Sequence, residues 1–324
     1  MITIVTIKNF KSIKNLTFNA KRINLFLGKP NTGKSNILES LGIFFLPHKT
    51  DLKELVRCDG VINIFYNYQT SLEIEVSCLP FKWKIFTKGD SFQFEEDFQR
   101  SRIYTGVIYP DGIITGHQKD DSFFKTFIIP FKLYRFPSSI PRTFYQTLPF
   151  FLWPPYGENL FTILLTNQDI YNLINSLLKE FSLEILLDEA ESKIRILSHG
   201  EKRVLYPWSI LSDTLQRTIF YLVAIKSNKN SIILLEEPEA HAFPYYTKII
   251  AESIVNDPLS NQYFISTHNP YFLLTILEKS KKEEVAIFWT EFIEGETKIK
   301  ELSEEDKEKI LERGMDVFFN LVIL

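Results

Sequence analysis

The chain has 324 residues, of which 45% are hydrophobic and 24% are charged, and 37 Lys and Arg against 40 Asp and Glu give a net charge of −3. This composition is ordinary for a globular protein and excludes an intrinsically disordered chain. A net charge so close to zero also argues against a strongly basic nucleic-acid binder, although it leaves room for a local basic patch.

Neither a membrane span nor a signal peptide is expected. The longest apolar stretches, such as residues 219–225, are far short of the roughly 20 residues that a transmembrane helix needs. The N-terminus has no basic segment followed by a long apolar one. Cys58 and Cys78 form no zinc-binding pattern, so we interpret them as reduced thiols. These features favour a cytoplasmic protein with no membrane partner.

The first 50 residues predict a strand–strand–loop–helix arrangement. Residues 2–7 are rich in β-branched side chains and residues 23–27 read as a buried strand. A glycine-bearing loop leads into a helix whose apolar residues share one face; they are Ile37, Leu38, Leu41, Phe44 and Phe45. Pro47 is expected to end this helix.

The remainder changes from β-rich to alternating α/β texture. Short alternating runs at 72–76 and 81–86 predict antiparallel strands, and a helix is predicted over 158–181. Residues 192–210 predict a hairpin that turns at 198–202. The later elements are a helix over 213–226, strands at 231–235 and 262–266, helices after Pro244 and from Pro270, and a solvated helical or hairpin tail over 279–313.

Residues 28–35 carry the pattern GxxxxGKS between a predicted strand and a predicted helix, which is the context this phosphate-binding motif requires. The glycines allow consecutive N–H groups to face a phosphate, and the helix N-terminus adds positive potential. Lys34 is expected to neutralise the β- and γ-phosphates of a nucleotide, and Ser35 is expected to ligate Mg²⁺.

Two acidic residues follow the apolar run at 232–235, where open α/β sheets bind ligands. Because successive strand residues face opposite sides, we assign Glu236 to the metal and Glu237 to the attacking water as general base. His268 comes 31 residues after Glu237, at the end of another predicted strand. Its position at the same sheet edge favours a hydrogen bond to the γ-phosphate.

Together these segments resemble the SMC/RecF/OLD branch of the ABC-type ATPases. The segments are Ile7-Lys8-Asn9-Phe10-Lys11-Ser12-Ile13, residues 29–39 with the P-loop, Pro154-Pro155-Tyr156-Gly157-Glu158-Asn159-Leu160, Glu236-Glu237-Pro238-Glu239-Ala240-His241, and Ser266-Thr267-His268-Asn269-Pro270. The resemblance implies an α/β P-loop NTPase fold, with an ABC-ATPase-like mixed sheet flanked by helices and an antiparallel β-rich lobe. It implies one domain, with a core from 1–50 and about 190–324 and an inserted lobe at about 51–190.

The same resemblance implies ATP and Mg²⁺ as cofactors. Catalysis would involve Glu237 and His268, and the metal would be held by Ser35 and Glu236. The nucleotide would contact Lys11, Pro30, Asn31, Thr32, Gly33, Lys34, Ser35 and Asn36. Gln69, Gln93 and Gln118 are equally poor candidates for the family's Q-loop glutamine.

Two segments compete for the family's signature loop, which caps the γ-phosphate of the partner subunit. Residues 197–203 are closer to the consensus by their letters, with Ser198 and Gly200, whereas the second segment has Ser212, Asp213 and Thr214. The second is favoured because Ser212 is a good N-cap for an unbroken helix, while Pro207 would break a helix after Ser198. Thr214 in place of the usual glycine predicts slow hydrolysis.

The leading functional hypothesis is an ATP-binding and ATP-hydrolysing switch that forms a head-to-tail homodimer on ATP binding. It would act in DNA maintenance or genome defence, with a separate effector or nuclease partner, since no nuclease module fits the remaining residues. DNA binding is possible but disfavoured by the net charge. The alternative is a weakly hydrolysing, nucleotide-dependent regulatory or scaffold module without a DNA role.

Overall fold

The computed structural model describes residues 1–99, 101–118, 130–137 and 151–314. The chain forms two compact units. The first unit combines Met1–Leu133, Ser231–Glu237 and Gln262–Leu324, and the second combines Tyr134–Asn230 and Pro238–Asn261. The division into a core and an inserted lobe, which the resemblance implies, stays a prediction.

A six-stranded mixed sheet organises the first unit and positions the site. Its strands are β3 (Ile23–Leu27), β9 (Phe131–Tyr134), β13 (Ile232–Glu236), β14 (Gln262–Ser266), β15 (Val285–Ile293) and β16 (Glu296–Glu301). They lie in the order β16-β15-β3-β14-β13-β9. β15, β3, β14 and β13 are parallel neighbours, while β16 pairs antiparallel to β15. Parallel central strands are buried on both faces, which explains the continuous apolar runs in β3, β13 and β14.

The second sheet of the first unit is antiparallel and has seven strands. Its strands are β1 (Ile4–Phe10), β2 (Ile13–Asn19), β4 (Ile74–Cys78), β5 (Phe81–Lys88), β6 (Ser91–Phe98), β7 (Ser101–Ile108) and β8 (Ile114–Gln118), in the order β2-β1-β4-β5-β6-β7-β8. Alternating burial in β4, β5 and β6 fits a sheet with one face on a core. The predicted β texture of this region is therefore confirmed, and the sheet continues into the N-terminal strands.

The described residues of the first unit form three α-helices: α1 (Lys34–Gly42), α6 (Pro270–Lys279) and α7 (Glu304–Arg313). The prediction that Pro47 ends the first helix was wrong in detail. α1 changes at Ile43 into a short 3₁₀ helix, Ile43–His48, which contains Pro47 and buries Phe44 and Phe45. A short 3₁₀ segment is common at the C-terminus of an α-helix, and it accommodates the proline that would break an α-helix interior.

Among its described residues, the second unit has four helices and a small sheet. They are α2 (Leu160–Thr166), α3 (Gln168–Leu178), α4 (Asp213–Ser227), α5 (Pro244–Val255), β10 (Leu183–Asp188), β11 (Lys193–His199) and β12 (Arg203–Pro207). The single helix predicted over 158–181 is broken at Asn167, whose side chain accepts the Ile170 N–H and starts a new helix. β11 and β12 form the predicted hairpin, with β10 as an unpredicted third strand.

Short 3₁₀ segments complete the described structure; they are Leu52–Glu54, Val61–Ile64, Tyr66–Tyr68, Lys179–Phe181, Trp208–Ile210 and Lys282–Glu284. Within the described ranges, the helices are too short or too polar to cross a membrane.

Candidate functional site

The candidate site lies where three parallel strands of the first unit end. Glu236 on β13 pairs with Ser266 on β14, and Ser266 pairs with Phe26 on β3. Parallel strands in this register carry their following loops to the same edge of the sheet. The P-loop after Leu27, the Glu236–Glu237 pair and the loop with His268 therefore meet at one edge, as the sequence predicts.

The P-loop is shaped to receive an anion. Gly28 and Gly33 adopt φ values of 145° and 99°, which side chains disfavour, and Gly33 caps α1 without any side-chain acceptor for the helix N–H groups. Thr32 Oγ1 donates to the Lys29 carbonyl at 2.9 Å. Pro30 and Asn31 lie exposed at the tip, where Asn31 takes a left-handed φ of 62° that asparagine tolerates. Unsatisfied N–H groups at a helix N-terminus fit a phosphate.

Lys34 is folded back on the P-loop and nearly buried. Its Nζ donates to the carbonyl oxygens of Gly28 at 2.8 Å and Lys29 at 2.7 Å, and the residue is 5% exposed. Burial lowers the pKa of Lys34 to about 8, while the Glu237 carboxylate opposes this shift. A phosphate would replace the two carbonyls as the partner of this ammonium and restore its full charge.

Glu237 and His268 form a pair beside Lys34. The His268 Nε2 lies 3.2 Å from Glu237 Oε1, and this hydrogen bond lowers the pKa of Glu237 against the opposing effect of burial. Glu237 adopts a left-handed φ of 44°, and its N–H donates to the Ser266 carbonyl at 3.0 Å. Strained backbone of this kind is retained where surrounding structure enforces it, and such strain clusters at functional sites. The carboxylate remains ionised at neutral pH and able to accept a proton.

An ionic network reaches Glu236 from the segment after α1. Arg57 Nη2 lies 2.6 Å from Glu236 Oε1, and Arg57 Nε lies 2.9 Å from Glu39 Oε1. The Lys11 ammonium also binds Glu39, whose side chain is fully buried. Burial acts to lower the pKa of Arg57, but the carboxylates of Glu236 and Glu39 outweigh it and raise this pKa. Lys11, which the resemblance assigned to the nucleotide, therefore holds a buried carboxylate and the Arg57 carbonyl.

Sequence reasoning gave no role to Glu39 or Arg57. Glu39 had a detectable signal, because it adjoins Leu38 on the buried side of a helix, where a carboxylate needs a cation. Arg57 lies in a segment without periodicity or motif, so no local pattern identifies it.

The residues predicted for Mg²⁺ have suitable donors but form only part of a coordination shell. Ser35 offers a hydroxyl and Glu236 a carboxylate, both oxygen ligands that Mg²⁺ accepts. In the described portion of the chain, no three His, Cys, Asp or Glu side chains cluster to hold a metal by themselves. The donor set thus fits Mg²⁺ that is shared with nucleotide phosphates. Asn36 instead donates from its side chain to Ser12 Oγ at 2.7 Å.

The second unit contains both candidate signature segments. Ser212 Oγ accepts the Leu215 N–H at 3.3 Å and caps α4, while Asp213 pairs with Arg217 at 2.7 Å. Thr214 Oγ1 donates to the His241 carbonyl at 2.9 Å. Ser198 instead lies on β11 opposite Val204, next to the hairpin turn. Of the two segments, only the one with Ser212 starts a helix, as the sequence predicts. Its role as the signature loop stays a prediction.

Two family models match successive parts of the chain. Residues 1–135 match an "AAA ATPase domain", and residues 128–274 match "AAA domain, putative AbiEii toxin, Type IV TA system". Among curated proteins, the Septu protein PtuA of Bacillus mycoides (strain KBAB4) is 22% identical over 309 residues. That alignment covers 85% of this chain but only 39% of the relative, so the chain spans well under half of PtuA.

Solved SMC head domains share the fold. An SMC head bound to the C-terminal winged-helix domain of ScpA has a TM-score of 0.57 at 15% identity, covering 94% of this chain and 98% of that one. An SMC head with an extended coiled coil, bound to the C-terminal domain of ScpA and derived from Pyrococcus furiosus, has a TM-score of 0.54 at 13% identity, covering 96% and 98%. The predicted P-loop ATPase fold is confirmed.

Proposed function

Because the chain is an SMC/RecF/OLD-like ATPase, we propose that it is an ATP-driven switch whose hydrolytic site is the sheet edge around Lys34, Glu237 and His268. The observation that carries this proposal is the pairing of Glu237 with His268 beside the P-loop lysine. It places an ionised carboxylate next to the group that would hold the γ-phosphate.

In the proposed site, each side chain has one task. Lys34 and the N–H groups of the loop would hold the phosphates. Ser35 and Glu236 would hold Mg²⁺, which would neutralise developing phosphate charge. Glu237 accepts a proton from the attacking water. His268 donates to Glu237 and keeps its carboxylate ionised and oriented. Arg57 binds the Glu236 carboxylate, so Mg²⁺ held by Glu236 would have to share this carboxylate with the guanidinium.

Phosphate release with saturating ATP and Mg²⁺ tests the assignment of the general base. Glu237→Gln keeps the size and hydrogen-bonding of the side chain but cannot take up the proton, so kcat should fall by about 10²–10⁴. Glu278→Gln, at an exposed position of α6 in the same unit, is the matched control and should keep wild-type turnover. Turnover of Glu237→Gln within threefold of wild type would remove Glu237 from the mechanism.

We extend the proposal to a head-to-tail homodimer, in which the Ser212–Thr214 segment of one chain caps the nucleotide of the other. Ser212 at the start of α4 presents a helix N-terminus suited to a phosphate. The similarity to a Septu protein favours genome defence with a partner over DNA maintenance alone. The Glu237→Gln variant with bound ATP is the form in which to search for that partner. Fluorescence anisotropy with the same variant would detect ATP-dependent binding of duplex DNA.

A weakly hydrolysing scaffold is the second candidate, favoured by Thr214. Its side chain occupies the place of the usual signature glycine and is engaged with the His241 carbonyl. A Cβ and hydroxyl there would keep a phosphate from the backbone that glycine exposes. In this form, ATP binding would assemble the complex and turnover would be slow in wild type. A kcat of Thr214→Gly that is higher than the kcat of wild type would favour this second candidate.

A further inference from the structure

The β15–β16 hairpin, which lies beyond every recognised motif, lies against the P-loop through Thr297. Thr297 is 1% exposed, and its Oγ1 donates to the Thr32 carbonyl oxygen at 3.0 Å. A Cβ built on Gly33 would lie 2.0 Å from Thr297 Oγ1. Gly33 therefore leaves room for Thr297 in addition to adopting its left-handed φ, so the loop and the hairpin fit each other closely.

Thr297 belongs to a chain of side-chain hydrogen bonds whose direction is determined at both ends. Asn36 Nδ2 donates to Ser12 Oγ at 2.7 Å, and Ser12 Oγ lies 2.6 Å from Thr297 Oγ1. The amide NH₂ at one end can only donate and the Thr32 carbonyl at the other can only accept. Each hydroxyl has one proton, so Ser12 donates to Thr297 and Thr297 donates to Thr32. The Thr297 N–H also donates to the Ser12 carbonyl at 2.7 Å.

This chain determines the orientation of one peptide group in the P-loop. The Thr32 carbonyl and the Gly33 N–H belong to the same planar trans peptide, in which C=O and N–H point in opposite directions. Anchoring the carbonyl on Thr297 therefore turns the Gly33 N–H away from the hairpin. In the part of the chain that the structure describes, this N–H has no acceptor. It is a preorganised donor next to Lys34.

We propose that Thr297 is a positioning residue for nucleotide binding, which presents the Gly33 N–H to the phosphates by holding the Thr32 carbonyl. This inference rests on the proposed nucleotide site at the P-loop. Thr297 should affect the binding of substrate and of transition state equally. It orients an N–H group that donates to the phosphates, and it does not touch the attacking water. Its loss should therefore raise KM and leave kcat nearly unchanged.

Thr290 provides a matched control on the same hairpin. It lies on β15, is fully buried like Thr297, and its hydroxyl has no hydrogen-bond partner among the described residues. Thr→Val has the same shape at both positions and removes one hydroxyl. At Thr290 it removes a buried hydroxyl without a hydrogen-bond partner in the described residues, which costs little or even stabilises the fold. At Thr297 it removes the anchor of the P-loop peptide.

The test is a titration with N-methylanthraniloyl-ATP and Mg²⁺, combined with steady-state phosphate release and thermal unfolding. Thr297→Val should weaken nucleotide binding about tenfold and raise KM in parallel, with kcat within twofold of wild type. Thr297→Ser keeps the hydroxyl and should restore affinity to within threefold of wild type. Thr290→Val should bind as wild type does.

Each other outcome has a defined meaning. Wild-type affinity in Thr297→Val, or a loss confined to kcat, overturns the inference. If Thr297→Val does not fold, Ser12→Ala decides, since it removes the donor to Thr297 and should weaken binding about threefold; wild-type affinity there also overturns it. Lys34→Ala separates the role of Thr297 from the nucleotide site on which it rests. If this variant binds the nucleotide as wild type does, the proposed nucleotide site itself is wrong.

Discussion

At the scale of single residues, the position of Lys34 between two backbone carbonyls links the site to pH. Its pKa of about 8 means that the ammonium is half deprotonated at pH 8 before nucleotide binds. The shift comes from burial, so a phosphate that supplies negative charge should raise the pKa again. Nucleotide binding is then coupled to proton uptake in the range between these two pKa values.

We therefore expect ATP binding at pH 8 to take up about half a proton, and affinity to fall as the pH rises above 8. The sign follows because the bound form holds the proton more tightly than the free form. Isothermal titration calorimetry in buffers of different ionisation enthalpy measures the uptake. Lys34→Arg keeps its charge at every accessible pH and should show none. Equal proton uptake in the two proteins would contradict this role of Lys34.

Residues also differ in how far sequence could identify them. Lys34, Glu237 and His268 each follow a buried strand, so strand order alone brings them to one edge. Arg57 and Thr297 reach the same edge from segments without a motif, by contacts that depend on tertiary packing. The sequence could predict that a buried Glu39 needs a cationic partner, but it could not predict which residues supply the cation.

At the scale of elements, the seven-stranded sheet contains a buried acid. Glu96 on β6 is fully buried. In the strand register it lies opposite Trp83 on β5 and Tyr104 on β7. Neither carboxyl oxygen has a hydrogen-bond partner in the described parts of the chain. Burial, with a smaller effect of Asp97, raises the pKa of Glu96 well above its ordinary value. The folded chain therefore holds Glu96 in its neutral form.

This neutral acid should make stability depend on pH. The unfolded chain ionises Glu96 above its ordinary pKa of about 4.5, so folding takes up a proton and stability falls as the pH rises towards the folded pKa. Glu96→Gln removes this pH-dependent contribution to the free energy of unfolding. The variant should match wild type near pH 4 and exceed it at pH 8, measured as the urea midpoint. Equal midpoints at both pH values would mean that Glu96 is not held neutral.

Element prediction succeeded where periodicity and capping agreed. α4 begins after the predicted cap Ser212 and β3 has the predicted bounds. The helix over 158–181 was wrong at Asn167, because its side chain offers the backbone an alternative N-cap within an apolar helical pattern. The sequence predicts either a helix or a hairpin for the region of β15–β16, because its Lys- and Glu-rich residues show no decisive period.

At the scale of the whole molecule, we propose a switch driven by ATP. In the proposed switch, the first unit would supply the P-loop, Glu236, Glu237 and His268, and the second would supply the Ser212 segment. In a head-to-tail pair, each chain would contribute its phosphate-binding loop to one nucleotide and its Ser212 segment to the other. Local sequence patterns do not indicate the number of chains in the active form, because neither an isologous nor a head-to-tail interface requires a particular motif.

Sedimentation velocity of Glu237→Gln, with and without ATP and Mg²⁺, tests whether ATP drives dimerisation. Blocked hydrolysis should trap the ATP-bound form, so the variant should sediment as a dimer with ATP and as a monomer without it. Lys34→Ala in the same background should stay monomeric in both conditions, because it cannot hold the phosphates. A Glu237→Gln protein that remains a monomer at saturating ATP and Mg²⁺ would contradict the switch.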